Sequence, residues 1–216
     1  MKHRIVFLDQ FALSDSHVKR LRNLADVKLA QSAWPSQADI IRLVQPATIL
    51  VSKWIYIGEK IFAIAPHLRY VVMAMTGYHD WVDVQAAKRH AIKVSNVPAF
   101  SSEAVAEHAI LLMLSVSRNI FPANASLTKG DFDPKAYKGT ELKDKTIGIV
   151  GAGNIGGRIG EIAKGFGMKV FFIDSKTTGK KFEEILSQSD FLSVNTPLTP
   201  ITEKLIGAKE LSLLPK

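Results

Sequence analysis

The chain of 216 residues has no cysteine, which excludes disulfides and thiolate metal sites. Long hydrophobic runs are missing too. The stretch Ala109–Leu114 falls far short of the roughly 20 apolar residues a spanning helix needs. The basic start Met1-Lys2-His3-Arg4 is followed only by Ile5-Val6-Phe7-Leu8 before Asp9. That is too short for the apolar region of a signal peptide and reads as a first strand. No membrane association is expected, and the expected location is the cytoplasm. Concentrated positive charge is also lacking. Lys and Arg number 28 against 20 Asp and Glu, but they are scattered and not interleaved with aromatics as a base-stacking platform would require. No nucleic-acid partner is expected; the net charge of +8 reads as a solvated surface that favours small anions. The 6 histidines offer no pair at metal-ligand spacing with a third partner, so no metal is expected.

What is present is an alternation of short apolar strands with helical stretches, which predicts an α/β fold with parallel sheets. Strands are expected at Arg4–Leu8, Thr48–Ser52, Tyr70–Ala74 and Ile92–Ser95, with helices at Ser16–Ala25, Ser36–Leu43, Ile57–Ala65 and Trp81–His90. Asn96-Val-Pro98 breaks the pattern and sets the boundary between residues 1–98 and 99–216. A helix is then expected from Ser102 to Ile120, apolar around much of its circumference and so buried between layers or subunits. Thr128–Lys145 reads as a connection. Beyond it come strands Thr146–Val150, Lys169–Ile173 and Phe191–Val194, with helices Ile155–Phe166 and Phe182–Ser187 between them.

The run Thr146-Ile-Gly-Ile-Val-Gly-Ala-Gly-Asn-Ile-Gly156, followed by Phe171-Phe-Ile-Asp174, carries the chemistry. It is a strand, a glycine turn, a helix start, a second strand and a terminal acid, the arrangement that holds a dinucleotide. Gly151 permits the tight turn, Gly153 lets the backbone approach a diphosphate, and Gly156 lets the helix lie close to the sheet. Asn154 and Ile155 open that helix, whose free N–H groups and positive dipole end attract the diphosphate. Asp174 can accept from both ribose hydroxyls and repels a 2′-phosphate, so NAD is expected over NADP and NADH over NADPH. Ser175 and Lys176 follow directly, and Lys176 partly offsets that repulsion.

Several blocks resemble the D-isomer-specific 2-hydroxyacid dehydrogenase family in order and spacing. They are Thr76-Gly-Tyr-His-Asp-Trp-Val-Asp83, Asn96-Val-Pro98, Val105-Ala-Glu-His108, Leu142–Gly156, Thr196-Pro-Leu-Thr199 and Leu205-Ile-Gly207. Ser52-Lys53 and Thr76-Gly77 look most like the D-glycerate dehydrogenase (hydroxypyruvate reductase) group. The resemblance implies two doubly wound parallel-sheet domains: a flavodoxin-like substrate domain and a Rossmann NAD-binding domain, of which only the first half is expected here. It implies hydride transfer between NADH and a small 2-keto acid, of hydroxypyruvate or glyoxylate type, and a homodimer through the 102–120 helix. The loop Thr76, Gly77, Tyr78 would hold the substrate carboxylate with Lys53 at the rim, and Thr196 and Pro197 would pack on a ribose. Taken alone, Lys53 is equally a solvated surface lysine, Thr76–Tyr78 an ordinary turn, and Thr196 a turn or cap residue.

The family's catalytic Arg, Glu and His are expected beyond Lys216. None of His3, His17, His67, His79, His90 or His108 inherits the general-acid role, and the segment alone is expected to be inactive. With three strands in the order 3-2-1, Thr146–Val150 would form an open sheet edge, another reason to expect a longer natural protein. Two other readings stand beside the enzyme: a non-enzymatic NAD-binding regulator, and a truncated pseudoenzyme.

Overall fold

The computed structural model describes residues 3–131, 133 and 135–215. They form two compact units, Met1–Phe100 and Ser101–Lys216. The first unit runs β1 (Arg4–Phe7), α1 (Asp15–Leu24), β2 (Asp26–Leu29), α2 (Gln37–Val44), β3 (Ile49–Ser52), α3 (Glu59–Ile64), β4 (Tyr70–Met73), α4 (Val84–Arg89) and β5 (Lys93–Asn96). All strands are parallel, in the order β2-β1-β3-β4-β5. This is the flavodoxin-like order, whose direction of winding reverses between β1 and β3.

The alternation of side chains along each strand decides what each face meets. Val6, Leu8, Leu50, Val71 and Met73 join α2, α3 and α4 in the main core. Phe7, Val27 and Val51 point the other way, where Leu21 of α1 and Phe11 and Leu13 of the loop before it partly cover them. Helix starts are fixed by side-chain caps: Ser14 accepts from the His17 N–H, Ser36 from Asp39 and Asp83 from Ala86. β2 was not expected from the sequence. It is an edge strand with only Val27 buried, and an Arg4–Asp26 ion pair of 2.6 Å ties it to β1.

The second unit runs α5 (Ser102–Ser117), α6 (Ile120–Thr128), β6 (Thr146–Val150), α7 (Asn154–Gly165), β7 (Lys169–Ile173), α8 (Gly179–Gln188), β8 (Phe191–Val194) and α9 (Ala208–Ser212). The helix expected over 102–120 ends at Ser117, and a second helix that was not expected, α6, follows at a bend of 63°. Pro122, in the first turn of α6, suits that separate start. Within a continuing helix it would remove a backbone hydrogen bond and clash with the preceding turn, whereas the first turn of a new helix tolerates it. Asn119 makes the break in the left-handed region (φ 52°) and donates to the Lys138 carbonyl at 3.1 Å. Among the described residues, no single helix is long and apolar enough to cross a membrane. Nor is α5 buried all round: Ala106 and Ile110 pack into a core with α7, while Leu111, Leu112 and Val116 remain exposed.

The strand order β7-β6-β8 corrects a second expectation. β8 does not continue outward from β7. It crosses back and pairs with the far side of β6, Ile147 to Phe191 through Val150 to Val194. The fingerprint strand is therefore central and buried along its whole length, as its Ile- and Val-rich sequence demands. Right-handed crossovers to opposite sides of β6 put their helices on opposite faces. α7 accordingly packs with Ile147 and Ile149, and α8 with Val150 and Ile173. Asp190 anchors the sheet by accepting the Thr146 N–H at 2.8 Å and pairing with Lys145 at 3.2 Å. Burial pushes the Asp190 carboxyl up, but those two partners outweigh it and hold it below the usual carboxylate range.

Candidate functional site

The reversal of winding at β6 opens a crevice at the carboxyl ends of the strands, where open α/β sheets bind ligands. Its walls follow from local backbone demands. Gly151 leaves β6 at φ +98°, and a Cβ there would lie 2.9 Å from the Asn195 carbonyl oxygen, so only glycine fits. Gly153 caps α7 in an extended conformation with no side-chain acceptor for the first N–H groups of the helix, and a Cβ there would meet nothing within 4 Å. At Gly156 a Cβ would overlap the Gly151 carbonyl oxygen. Gly160, which the sequence reading passed over, extends this close packing: a Cβ would sit 2.6 Å from the Phe172 ring.

A cleft of about 580 Å³ lies here, bordered by Gly151, Asp174, Ser175, Thr196 and Pro197 together with Thr177 and Phe182. Of the residues expected to bind a dinucleotide, Gly153, Asn154, Ile155, Gly156 and Lys176 do not line it. Asn154 and Ile155 lie in the first turn of α7, and Gly156 is buried beneath the turn. Asp174 is exposed. Its Oδ1 accepts from the Lys176 N–H at 2.9 Å and the Thr177 hydroxyl at 3.0 Å. These two donors, the Lys176 N–H above all, hold its carboxyl below the usual range. Oδ2 has no partner among the described residues and is left for a ligand. Thr177 was missed in the sequence, although the Asp-x-x-Thr spacing signals such a turn. Beyond β8, the Thr202 hydroxyl donates to the Pro197 carbonyl and accepts the Thr199 N–H, which orders the loop.

These residues fit a dinucleotide: an uncapped helix start with open space before it, a cleft at the strand ends, and a charged carboxylate with one free oxygen. Among the described residues no group of three His, Cys, Asp or Glu could hold a metal.

In the first unit, Lys53 and Thr76–Tyr78 leave the carboxyl ends of the neighbouring strands β3 and β4. The next loop residues meet, with Trp54 and Trp81 edge to face at 5.8 Å. Gly77 is exposed, and a Cβ would find nothing within 4 Å, so neither crowding nor a positive φ requires glycine there. The Thr76 carbonyl accepts from Asn96 Nδ2 at 2.7 Å, and Tyr78 stacks on His79 at 4.3 Å. Lys53 is not a freely solvated lysine. Its Nζ donates to the Gln10 carbonyl at 2.8 Å and lies 4.3 Å from the centre of the Phe11 ring. Asp9, which the sequence reading did not assign, is 1% exposed and accepts from three donors of the Ser52–Trp54 turn. Its signal was an apolar strand ending in an acid, the pattern that marked Asp174.

Residues 110–216 match the profile of the family described as D-isomer specific 2-hydroxyacid dehydrogenase, NAD binding domain. The chain is 32% identical to D-3-phosphoglycerate dehydrogenase of Methanocaldococcus jannaschii, over 94% of this chain and 41% of that protein. It is 35% identical to glyoxylate reductase of Thermococcus litoralis, over 73% of this chain and 53% of that protein. The chain thus spans about half the length of the curated relatives it matches. An acyclic imino acid reductase solved in complex with NADPH and D-Arg superposes with a TM-score of 0.86 at 30% identity, covering 98% of this chain and 71% of that one. With the likeness running through both compact units, the chain belongs to the D-isomer-specific 2-hydroxyacid dehydrogenase family.

Proposed function

We propose that the natural protein is a cytoplasmic NADH-dependent reductase of small 2-keto acids, with glyoxylate and hydroxypyruvate as first substrates to test. The observation that carries this reading is Asp174, set at the end of β7 on the same cleft as Gly151 and Thr196 with Oδ2 unpartnered. In this reading, residues 1–98 bind substrate and residues 99–216 bind NAD. Gly151, Gly153, Asn154, Ile155 and Gly156 form the diphosphate turn, and Asp174, Ser175 and Lys176 border the adenosine ribose. Thr196 and Pro197 border the other wall. Lys53, Thr76, Gly77 and Tyr78 receive the substrate carboxylate. A bound nicotinamide supplies the hydride for C2 of the keto acid. No residue of this chain is assigned the proton transfer, and the 216-residue segment alone is read as inactive.

The dinucleotide preference needs its own test, since an imino acid reductase related to this chain was solved with NADPH. NADH should bind more tightly than NADPH by roughly tenfold, and Asp174→Ala should lower NADH affinity by a similar factor and abolish the preference. Fluorescence titration of both nucleotides reads this directly; tighter NADPH binding by the parent would refute it. The pKa of Asp174 is depressed in the fold. Its charge, and the ribose contact it makes, should therefore persist as pH falls until below the usual carboxylate pKa of about 4.

Exposed Leu111, Leu112 and Val116 on α5 and Phe121 on α6 support a homodimer through this surface. Sedimentation equilibrium should find a dimer that Leu112→Asp weakens. A parent protein that stays monomeric at micromolar concentration removes that part of the proposal.

A further inference from the structure

Three consecutive residues after β1 hold Lys53 at two points, its main-chain N–H and its ammonium. Asp9 Oδ2 accepts the Lys53 N–H at 2.8 Å, and with it the Trp54 N–H at 2.7 Å and the Ser52 hydroxyl at 3.1 Å. The Gln10 carbonyl takes the Lys53 ammonium, which lies over the Phe11 ring. The arrangement is costly. A nearly fully buried carboxylate keeps Oδ1 buried without a hydrogen-bond partner, and such a group carries a desolvation penalty. Asp9 satisfies three donors of the β3–α3 turn with one oxygen while the other stays buried and unpartnered, so the turn is fixed at a desolvation cost. The clamp lies at the β1/β3 reversal of winding, the place where this sheet order receives ligands.

We propose that Asp9 is a positioning residue for the keto-acid site. By fixing the main chain of Lys53 and Trp54, it sets where the Lys53 ammonium, anchored through one N–H on the Gln10 carbonyl, is presented to an anionic substrate. This role rests on the functional reading above, whereas the clamp itself does not. Asp9 touches no reacting atom; it acts through Lys53.

Two readouts on the intact gene product separate the clamp from its role. The first is labelling with N-hydroxysuccinimidyl acetate, followed by peptide mass spectrometry. Lys53 should acetylate more slowly than the exposed Lys19 and Lys28 in the parent, and as fast as they do in Asp9→Ala. Asp9→Asn keeps an oxygen facing the three donors and should restore most of the protection. The second is steady-state kinetics with glyoxylate. KM should rise about tenfold or more in Asp9→Ala, kcat should change far less, and the Kd for NADH should stay the same. Should Asp9→Ala not fold, Asp9→Glu, which displaces the carboxylate by one methylene, takes its place with the same two expected changes. Unaltered Lys53 labelling overturns the clamp. Faster labelling with unchanged KM, or a KM change matched by a change in NADH affinity, overturns the positioning role. A parent without turnover of any 2-keto acid sinks the functional reading and the role with it, and the labelling alone then decides the clamp.

Discussion

Gly153→Val should fold as stably as the parent and lose NADH binding by at least about a hundredfold. The two halves of this expectation come from different observations. Gly153 sits at φ −74° and ψ −167°, extended backbone that any residue adopts, and a Cβ there meets nothing within 4 Å. Valine is a poorer N-cap than glycine, while removing a glycine narrows the unfolded ensemble. Each effect is worth about 1 kcal/mol or less and they oppose each other. Net stability should therefore move by less than about 1 kcal/mol. Binding is another matter. A diphosphate bound to helix N–H groups must come within hydrogen-bond distance of the backbone, at about 3 Å, and a branched side chain at the cap fills that space. Urea unfolding and fluorescence titration on one preparation test both halves. A folded variant that binds NADH normally would remove Gly153 from the site.

The strands of the second unit were legible to the residue at Thr146–Val150, Lys169–Ile173 and Phe191–Val194. Each is a compact apolar run closed by a turn residue or an acid. Legibility failed where tertiary contacts decide. Asp26–Leu29 has no apolar run because an edge strand buries only one residue. The neighbour of β6 could not be read either, since order in a sheet is set by crossovers and not by composition. Yet the Ile/Val-rich β6 already demanded burial on both sides, and the return of β8 supplies it. Pro122 lies just past the helix expected over 102–120, at a position the first turn of a second helix tolerates, so α6 had a readable signal that was passed over.

The site divides in the same way. Gly151, Asp174 and Thr196 each follow a strand within two residues, which a sequence marks well, and the fold brings them to one cleft. Asp9 follows a strand as closely, but its partners are main-chain N–H groups more than 40 residues away in sequence, and no spacing rule reaches that far. Thr177 shows the intermediate case: a local hydrogen-bonding turn that spacing could have found, and that fixes which Asp174 oxygen remains for a ligand.

Gly156→Ala should destabilise the protein even though it places a better helix former in a helix. Alanine gains about 1 kcal/mol over glycine inside a helix. Against that, the new methyl would overlap the Gly151 carbonyl oxygen and press on Ile149 Cγ2 at 3.0 Å. The turn cannot easily yield. Gly151 is held at φ +98° with its N–H on the Ile173 carbonyl at 2.8 Å, and Asn195 and Thr196 occupy the side where a Cβ would project. Relief must come from moving the start of α7 off the sheet, an overpacking cost of about 3 kcal/mol or more. The clash outweighs the propensity gain, leaving a net loss of about 2 kcal/mol. Gly157→Ala, one residue on in the same helix, is the control. Its Cβ meets nothing within 4 Å, so only the propensity term remains and stability should rise by up to about 1 kcal/mol. Opposite signs in urea unfolding would establish that Gly156, unlike Gly157, is required by the approach of helix to turn. If both variants were stabilised, α7 would not lie against the Gly151 carbonyl as described, and the diphosphate geometry built on that approach would fall with it.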